Sequence, residues 1–261
     1  MAEEFQRRID DGYLYGDFQF AIDPASDDFM KKGVFSCYRP VEDTRPMPED
    51  QKQLDVDDWR ELLYLTHTDK AEAFRRYSNY YLSTSGQLYW SDTHQLSTYL
   101  DDYHRMLEYR TGARHRGSEV ITEVYALRHR LTEFLADVRD DFRRHNVEVI
   151  YGTIRWIERD DESFLPWAKE PYACTVMNLH AEHSKAGLRH SAQAFRRLID
   201  ISLRHGGSYF LTYHKHATRK QVEACYPQFA EFLRLKRKYD PAEVFQSDWY
   251  RHYRKMFADA L

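Results

Sequence analysis

Six stretches of the chain have the alternation of apolar and polar residues, or the β-branched and aromatic content, that predicts strands. These stretches are residues 12–22, 33–39, 119–127, 147–157, 171–180 and 208–213. In six other stretches apolar residues recur at helical spacing, which predicts helices. These are residues 59–65, 70–82, 96–109, 128–145, 189–205 and 219–238. The stretch 40–58 contains three prolines and many charges, and it predicts a loop.

Two of the predicted helices carry a clear apolar stripe, which indicates the side that packs against a sheet. The residues predicted to face inward are Leu131, Phe134, Leu135, Val138, Phe142, Phe195, Leu198, Ile199 and Ser202.

From residue 119 on, strands outnumber helices. We therefore predict an α+β fold, an antiparallel sheet with helices packed on one face. Residues 1–118 are expected to supply entry strands and a helical segment, and residues 119–261 the main α+β domain.

Composition and charge exclude several classes of protein. The net charge is -4, which is unfavourable for a nucleic-acid partner because phosphate binding needs a basic surface. Only three cysteines occur, widely spaced, so we expect neither a disulfide framework nor a cysteine zinc site but a reducing, cytoplasmic setting. The sequence shows no apolar run of membrane-spanning length and no secretory leader. The 20 tyrosines, 15 phenylalanines and 5 tryptophans suit a ligand pocket or an interface, or an aromatic-rich core.

Familiar catalytic and nucleotide-binding motifs are missing from the sequence. It contains no G-x-G-x-x-G after a strand, no P-loop, no G-x-S-x-G and no H-E-x-x-H. The chain therefore offers no phosphate cradle of its own, and hydrolase and metalloprotease activities have no support.

The strand predicted at 147–157 carries the first candidate site residues. Alternation puts Val149, Tyr151, Thr153 and Arg155 on one face. Arg155 either meets an anionic or electron-rich ligand group or pairs with an acid among residues 158–162.

The next strand places Asn178, His180 and Glu182 on one face if it continues that far. A histidine beside a carboxylate can be a general base with its orienting partner, or part of a metal site. The other possibility is a solvent-exposed polar face.

A third group lies at His214, Lys215 and His216. The two histidines have the spacing of a zinc pair on a strand, but no third ligand occurs at a telling spacing, so no metal is expected. A metal-dependent enzyme would need at least three of His180, His183, His214 and His216 to converge. Lys215 points away from both histidines on a strand; it either stabilises negative charge in a site or lies on the surface.

Several stretches together resemble the C-terminal portion of FAD-linked oxidases of the vanillyl-alcohol oxidase type, in particular the aldonolactone and alditol oxidase branch. Thr153-Ile154-Arg155 looks like the E-x-R strand of that branch, and residues 206–215 resemble its strand with H-W-x-K. The most specific stretch is Lys236-x-x-Tyr239-Asp240-Pro241-x-x-x-Phe245, which matches K-x-x-Y-D-P-x-x-x-F and is followed by Ser247.

This resemblance implies roles for particular residues. Arg155 would hold or polarise substrate near flavin N5, His180 would contact the substrate hydroxyl or the flavin, and Lys215 would lie near flavin N1 and O2. The remaining expected contacts are Tyr151, Thr153, Asn178, Glu182, Tyr213 and His214 for substrate, and Ser247 for cofactor. Thr153 replaces the glutamate of E-x-R, and Thr212 and Tyr213 replace the histidine and tryptophan of H-W-x-K.

The implied activity is oxidation of a hydroxyl-bearing small molecule, similar to a sugar lactone or polyol, by hydride transfer to flavin. The FAD would be held mainly by a domain absent from this chain, and a separate partner chain is one possible source of that domain. The alternatives are a non-catalytic interaction module, or a truncated fragment that is inactive without its FAD domain. Without its FAD domain, the chain would expose the face that normally contacts that domain, and this would favour a homodimer or binding of a separate FAD domain.

Overall fold

The computed structural model of the chain describes residues 1–42, 46–90, 100 and 103–261. The strands within these ranges are β1 (Tyr15–Phe20), β2 (Gly33–Tyr38), β3 (Gly117–Leu127), β4 (Val149–Ile157) and β5 (Tyr172–Glu182). The helices are α1 (Ala2–Asp10), α2 (Val56–Thr68), α3 (Lys70–Ser83), α4 (Tyr103–Thr111), α5 (Leu131–His145), α6 (Lys185–Arg204), α7 (Arg219–Cys225), α8 (Phe229–Tyr239) and α9 (Asp248–Met256). Of the helix predicted at 96–109, residues 96–99 and 101–102 lie outside the described ranges. None of the helices described is both long and apolar enough to cross a membrane.

The five strands form one sheet in the order β2-β1-β4-β5-β3. Every neighbouring pair is antiparallel. The predicted α+β fold with an antiparallel sheet is therefore confirmed. The division predicted at residue 118 stays a prediction, and strands from both sides of it share this sheet.

The main core lies between one sheet face and the helices α5 and α6. Ile154 of β4 and Met177 of β5 are fully buried there against Phe134, Phe142 and Phe195. All residues of the two predicted apolar stripes are buried, which confirms the inward faces. Helix α6 begins earlier than predicted because the Ser184 side chain accepts a hydrogen bond from the backbone of Gly187. It ends as predicted, since Gly206 adopts a φ of 71° directly after it.

Part of the opposite sheet face is covered by helices from the N-terminal segment. Glu119 lies on this face at the start of β3, and it contacts His67 of α2 and His104 of α4. At the start of α3, Lys70 donates to the backbone carbonyl of Val149 over 2.7 Å. These contacts hold α2, α3 and α4 against one end of the sheet.

A β-bulge in β4 corrects the predicted alternation at its start. The register with β5 shifts between Val149 and Tyr151. The extra residue moves Val149 off the face of Tyr151, and Val149 is buried in the main core.

The strand predicted at 208–213 does not form, which is a second difference. Tyr209 makes only an isolated bridge to Val124 of β3. The chain then turns at Leu211, whose carbonyl accepts from the indole of Trp249 over 2.9 Å. This turn directs His214 into the core against Phe195, which a continuing strand would not do.

The helix predicted at 219–238 is two helices, α7 and α8. Proline has no amide hydrogen to donate and disfavours helical geometry in the preceding residue. Tyr226, just before Pro227, accordingly has φ -137° and ψ 76°. The second helix ends at Tyr239, just before Asp240-Pro241, where the sequence predicted the end.

Candidate active site on the open sheet face

The face of the sheet opposite α5 and α6 is polar, and we call it the open face. Cross-strand pairing places its residues in rows. Tyr151, Asn178 and Ile121 form one row, Thr153, Val176 and Glu123 the next, and Arg155, Cys174 and Tyr125 the third. His180 and Glu119 pair one row beyond Asn178.

Arg155 is exposed on the open face. The acids predicted as alternative partners have other roles, since Glu158 pairs with Arg128 and Asp161 with Arg159, each over 2.6 Å. Among the described residues, no hydrogen bond or ion pair is formed by the Arg155 guanidinium. Its donors are therefore free to bind a ligand oxygen.

Buried polar groups surround the base of Arg155. The Tyr125 hydroxyl donates to Glu123 Oε1 over 2.6 Å. Burial raises the pKa of the Cys174 thiol well above its usual value, and the negative charge of Glu123 adds to this effect. Burial also raises the pKa of Tyr213, again with a contribution from Glu123, while the charge of Arg155 opposes the rise. Both the Cys174 thiol and the Tyr213 hydroxyl therefore stay neutral near pH 7.

Aromatic rings line the same end of the open face. The Trp167 ring lies 6.2 Å from that of Tyr125 and 6.3 Å from that of Phe210. The Phe210 ring in turn lies 5.2 Å from the ring of Tyr213. Trp167 and Tyr213 are 37% and 41% exposed, so a ligand bound to Arg155 meets an aromatic surface.

Two predicted substrate contacts are already engaged within the protein. Thr153 is fully buried and donates to Asp17 Oδ2 over 2.9 Å. Gln19 donates to the Tyr151 hydroxyl over 3.1 Å. Burial raises the pKa of Tyr151 far above its usual value.

His180 belongs to a second cluster, at the other end of the open face. Its Nδ1 lies 3.1 Å from Glu119 Oε1, and His67 Nε2 lies 3.2 Å from the same oxygen. Glu119 Oε2 accepts from the Tyr103 hydroxyl and lies 2.8 Å from His104 Nε2. We call these five residues the Glu119 cluster.

The charge state of Glu119 follows from these contacts. Burial acts to raise its pKa, but the hydrogen bonds from His180 and Tyr103, together with the nearby His67 ring, outweigh burial and hold the pKa far below its usual value. The hydrogen bond to Glu119 raises the pKa of His180. Gly117 faces the His180 ring so closely that a Cβ there would lie 2.2 Å from Cε1, so only glycine leaves room for this ring position.

Arg155 and His180 share the predicted face but do not converge on one point. Arg155 pairs with Cys174, which precedes His180 by six residues on β5. At about 3.3 Å per residue this is a separation of about 20 Å along the strand. One small reacting group cannot contact both side chains.

The predicted residues near the C-terminus lie in other places. Lys215 is exposed and lies near α9. The hydrogen bond from Arg251 lowers the pKa of Asp248 and burial lowers the pKa of His252, and the charge of Lys215 makes a smaller contribution to both shifts. His214 is buried, and Ser247 caps α9 by accepting from the backbone of Tyr250. Asn178 is half-buried beside Tyr151, and Glu182 is exposed at the end of β5.

The histidine set considered for a metal also separates. His183 bonds to Ser118 Oγ over 2.8 Å, away from the Glu119 cluster. The rings of His214 and His216 lie 4.3 Å and 5.3 Å from the Phe195 ring. These four histidines therefore do not form one metal site.

Sequence reasoning missed Glu119, His67, Tyr103 and His104, and it missed Glu123. Glu119 and Glu123 lie on a correctly predicted strand, four residues apart and so on one face, which was an available signal. The partners from α2 and α4 had no such signal, because only tertiary packing brings them to the strand.

Comparison with known proteins gives the family. A sequence model described as D-arabinono-1,4-lactone oxidase matches residues 121–253. The chain belongs to this family. No curated protein matches the chain.

The D-arabinono-1,4-lactone oxidase match runs from β3 into α9. It contains Arg155, Glu123, His180 and Lys215. Members of this family are FAD-linked oxidases, so the chain is part of a flavoprotein-type oxidase. The Arg155 guanidinium and the neighbouring aromatic side chains are suited to contact the electron-rich ring of a flavin and a bound substrate. The sequence contains neither a G-x-G-x-x-G motif nor a P-loop.

Proposed function

We propose that this chain is the substrate-binding part of an FAD-dependent oxidoreductase that oxidises a hydroxyl-bearing small molecule of the sugar-lactone or polyol type. The FAD would be held mainly by a domain outside these residues. The observation that carries the proposal is Arg155, an unpaired guanidinium on the open face beside exposed aromatic rings, within the residues that match the family.

Arg155 would hold the oxygen of the reacting carbon. A guanidinium offers several donors in a fixed plane, so it can orient a hydroxyl and stabilise the carbonyl that replaces it. The aromatic surface of Trp167 and Tyr213 would pack against the apolar side of a sugar ring and exclude water from it. FAD, when bound, supplies the hydride acceptor.

Glu123 is our candidate for the group that takes the hydroxyl proton. It lies on the open face, one row from Arg155, and its carboxylate accepts a hydrogen bond from the Tyr125 hydroxyl over 2.6 Å, which fixes its position. General-base catalysis needs such a group within hydrogen-bond reach of the proton. His180 and Lys215 remain contacts that the family resemblance predicts, but at positions away from Arg155.

The proposal is tested by co-expressing the chain with an FAD-binding domain of the same family and recording the absorbance of the purified complex. Flavin bands in the complex, with turnover of a sugar lactone or polyol, are expected. Arg155→Gln should lower kcat/KM by about 100-fold or more and leave the flavin content unchanged. Arg159→Gln removes an exposed arginine that pairs with Asp161, and it is the matched control. Full activity of Arg155→Gln would show that the open face is not the site.

A second candidate is a non-catalytic interaction module, which an exposed apolar patch favours. Tyr239, Val244 and Phe245 are 78%, 73% and 77% exposed at the end of α8 and beyond it. Such side chains suit contact with another protein surface. Absence of flavin from both the isolated and the co-expressed chain would favour this candidate. A dilute monomer with no tendency to associate in size-exclusion chromatography would count against it.

A further inference from the structure

We propose that His67, Glu119 and His180 form a binding site for one divalent transition-metal ion, a site that the family match does not assign. Among the residues that the structure describes, this is the group of histidine and carboxylate side chains whose ligand atoms all lie within 4.8 Å of one another. Only His180 lies inside the residues that match the family. The sequence by itself predicted no metal site.

The spacing of the ligand atoms suits a metal ion. Zn²⁺ binds histidine nitrogen and carboxylate oxygen at about 2.0–2.1 Å, so two ligands at a tetrahedral angle lie about 3.3 Å apart. Glu119 Oε1 lies 3.1 Å from His180 Nδ1 and 3.2 Å from His67 Nε2. These two distances between ligand atoms are therefore close to those expected in a tetrahedral zinc site.

His67 provides an independent observation. Its side chain is 7% exposed, and Nε2 makes no aligned hydrogen bond although Glu119 is near. A buried polar atom without a partner is costly, and a metal ion at the centre of the three ligands removes that cost. The ring of His180 lies directly against Gly117.

The groups around Glu119 resemble the outer shell of a metal site. Tyr103 donates to Oε2, and His104 Nε2 lies 2.8 Å from this oxygen, while Oε1 faces the two ligand histidines. Outer hydrogen bonds of this kind orient a carboxylate ligand. The Lys70 ammonium group is a positive charge near the proposed site. It donates to the carbonyl of Val149 and lies 3.8 Å from Glu148, whose carboxylate compensates its charge.

The donor set selects the class of ion. Two imidazole nitrogens and one carboxylate oxygen suit Zn²⁺, Fe²⁺, Co²⁺ or Ni²⁺, whereas Mg²⁺ and Ca²⁺ prefer oxygen alone. Three protein ligands leave at least one position open. The His180 side chain is 23% exposed, so water can reach the site from its side.

The test uses the full chain after treatment with a chelator. Isothermal titration with Zn²⁺ should give one ion per chain, and Co²⁺ should produce visible absorption bands of a four- or five-coordinate ion. Glu119→Gln and His180→Asn should each raise the Kd by more than about 100-fold, and Tyr103→Phe by about 10- to 100-fold. His183→Asn is the matched control, because His183 lies three residues from His180 but bonds to Ser118 instead. Circular dichroism of each variant checks that it folds.

Absence of stoichiometric binding to the wild-type chain overturns the proposal without any variant. The proposal is also overturned if the three variants bind the ion with the same Kd as the wild type. These variants are Glu119→Gln, His180→Asn and Tyr103→Phe. The proposal does not depend on the proposed role of Arg155, since the metal site lies about 20 Å from Arg155 along the sheet.

Discussion

Protonation of the buried imidazole of His214 is expected to weaken the fold as the pH falls. The residue is 6% exposed, and its ring lies 4.3 Å from the ring of Phe195. The backbone N–H of His216 donates to Nδ1 over 3.4 Å, which leaves the proton of the neutral ring on Nε2, 3.4 Å from Thr122 Oγ1. If Nδ1 were protonated, its N–H would point at the His216 N–H, and the His216 N–H would lose its acceptor. Burial, with a smaller contribution from His216, therefore lowers the pKa of His214 from 6.5 to about 3.

The pH window follows from these two values. Below pH 6.5 the His214 imidazole binds a proton in the unfolded chain, whereas in the folded chain this imidazole stays neutral until about pH 3. The contribution of neutral His214 is thus complete above pH 6.5 and is lost as the pH falls toward 3. At about 1.4 kcal/mol per pH unit, the free energy of unfolding should fall by about 3 kcal/mol between pH 7 and pH 4.5.

Urea denaturation at a series of pH values measures this loss. His214→Gln keeps a donor and an acceptor but does not titrate, so its free energy of unfolding should depend less steeply on pH below 6.5. Other groups contribute equally to both proteins, and the difference between the two curves isolates His214. The exposed His129 provides the control His129→Gln, which should follow the wild type. Parallel curves for wild type and His214→Gln would refute the assignment of a buried neutral imidazole.

Three substitutions test the packing that supports the open face, each by its effect on the free energy of unfolding in urea. Gly206→Ala should cost about 1–2 kcal/mol because Gly206 has a φ of 71°, and a stability equal to wild type would contradict the left-handed helix end. Ser184→Ala should cost about 1 kcal/mol through loss of the α6 cap, while Ser184→Asp should retain it; equal losses would contradict a capping role. Phe142→Ala should cost about 3–5 kcal/mol because this ring is fully buried, and a loss below about 1 kcal/mol would place it outside the core.

The local pattern of the chain determined most of the strands and helices. The stripe that includes Phe134 and Phe142 predicted which side of α5 is buried, because helical spacing alone puts these residues on one face. Alternation likewise placed Thr153 and Arg155 together on β4. The break at Pro227 was also visible in the sequence, and it was missed only because the apolar spacing continues past it.

Tertiary structure decided how strands end and how residues combine into sites. The stretch after Ser208 has the composition of a strand, but burial of His214 against Phe195 turns it away from β3 after one bridge. The bulge in β4 moves Val149 into the core, since one extra residue reverses the side on which the preceding residues lie.

The two candidate sites show the same limit. Arg155 was identified from its strand and its family resemblance, whereas its separation from His180 required the antiparallel register of β4 and β5. His67 and Glu119 lie 52 positions apart in the chain, and no local period connects them. The sequence by itself determined the faces of individual elements, because those depend on periods of two and 3.6 residues. Only the tertiary structure decided which faces meet, because strand register and helix packing bring together residues that are far apart along the chain.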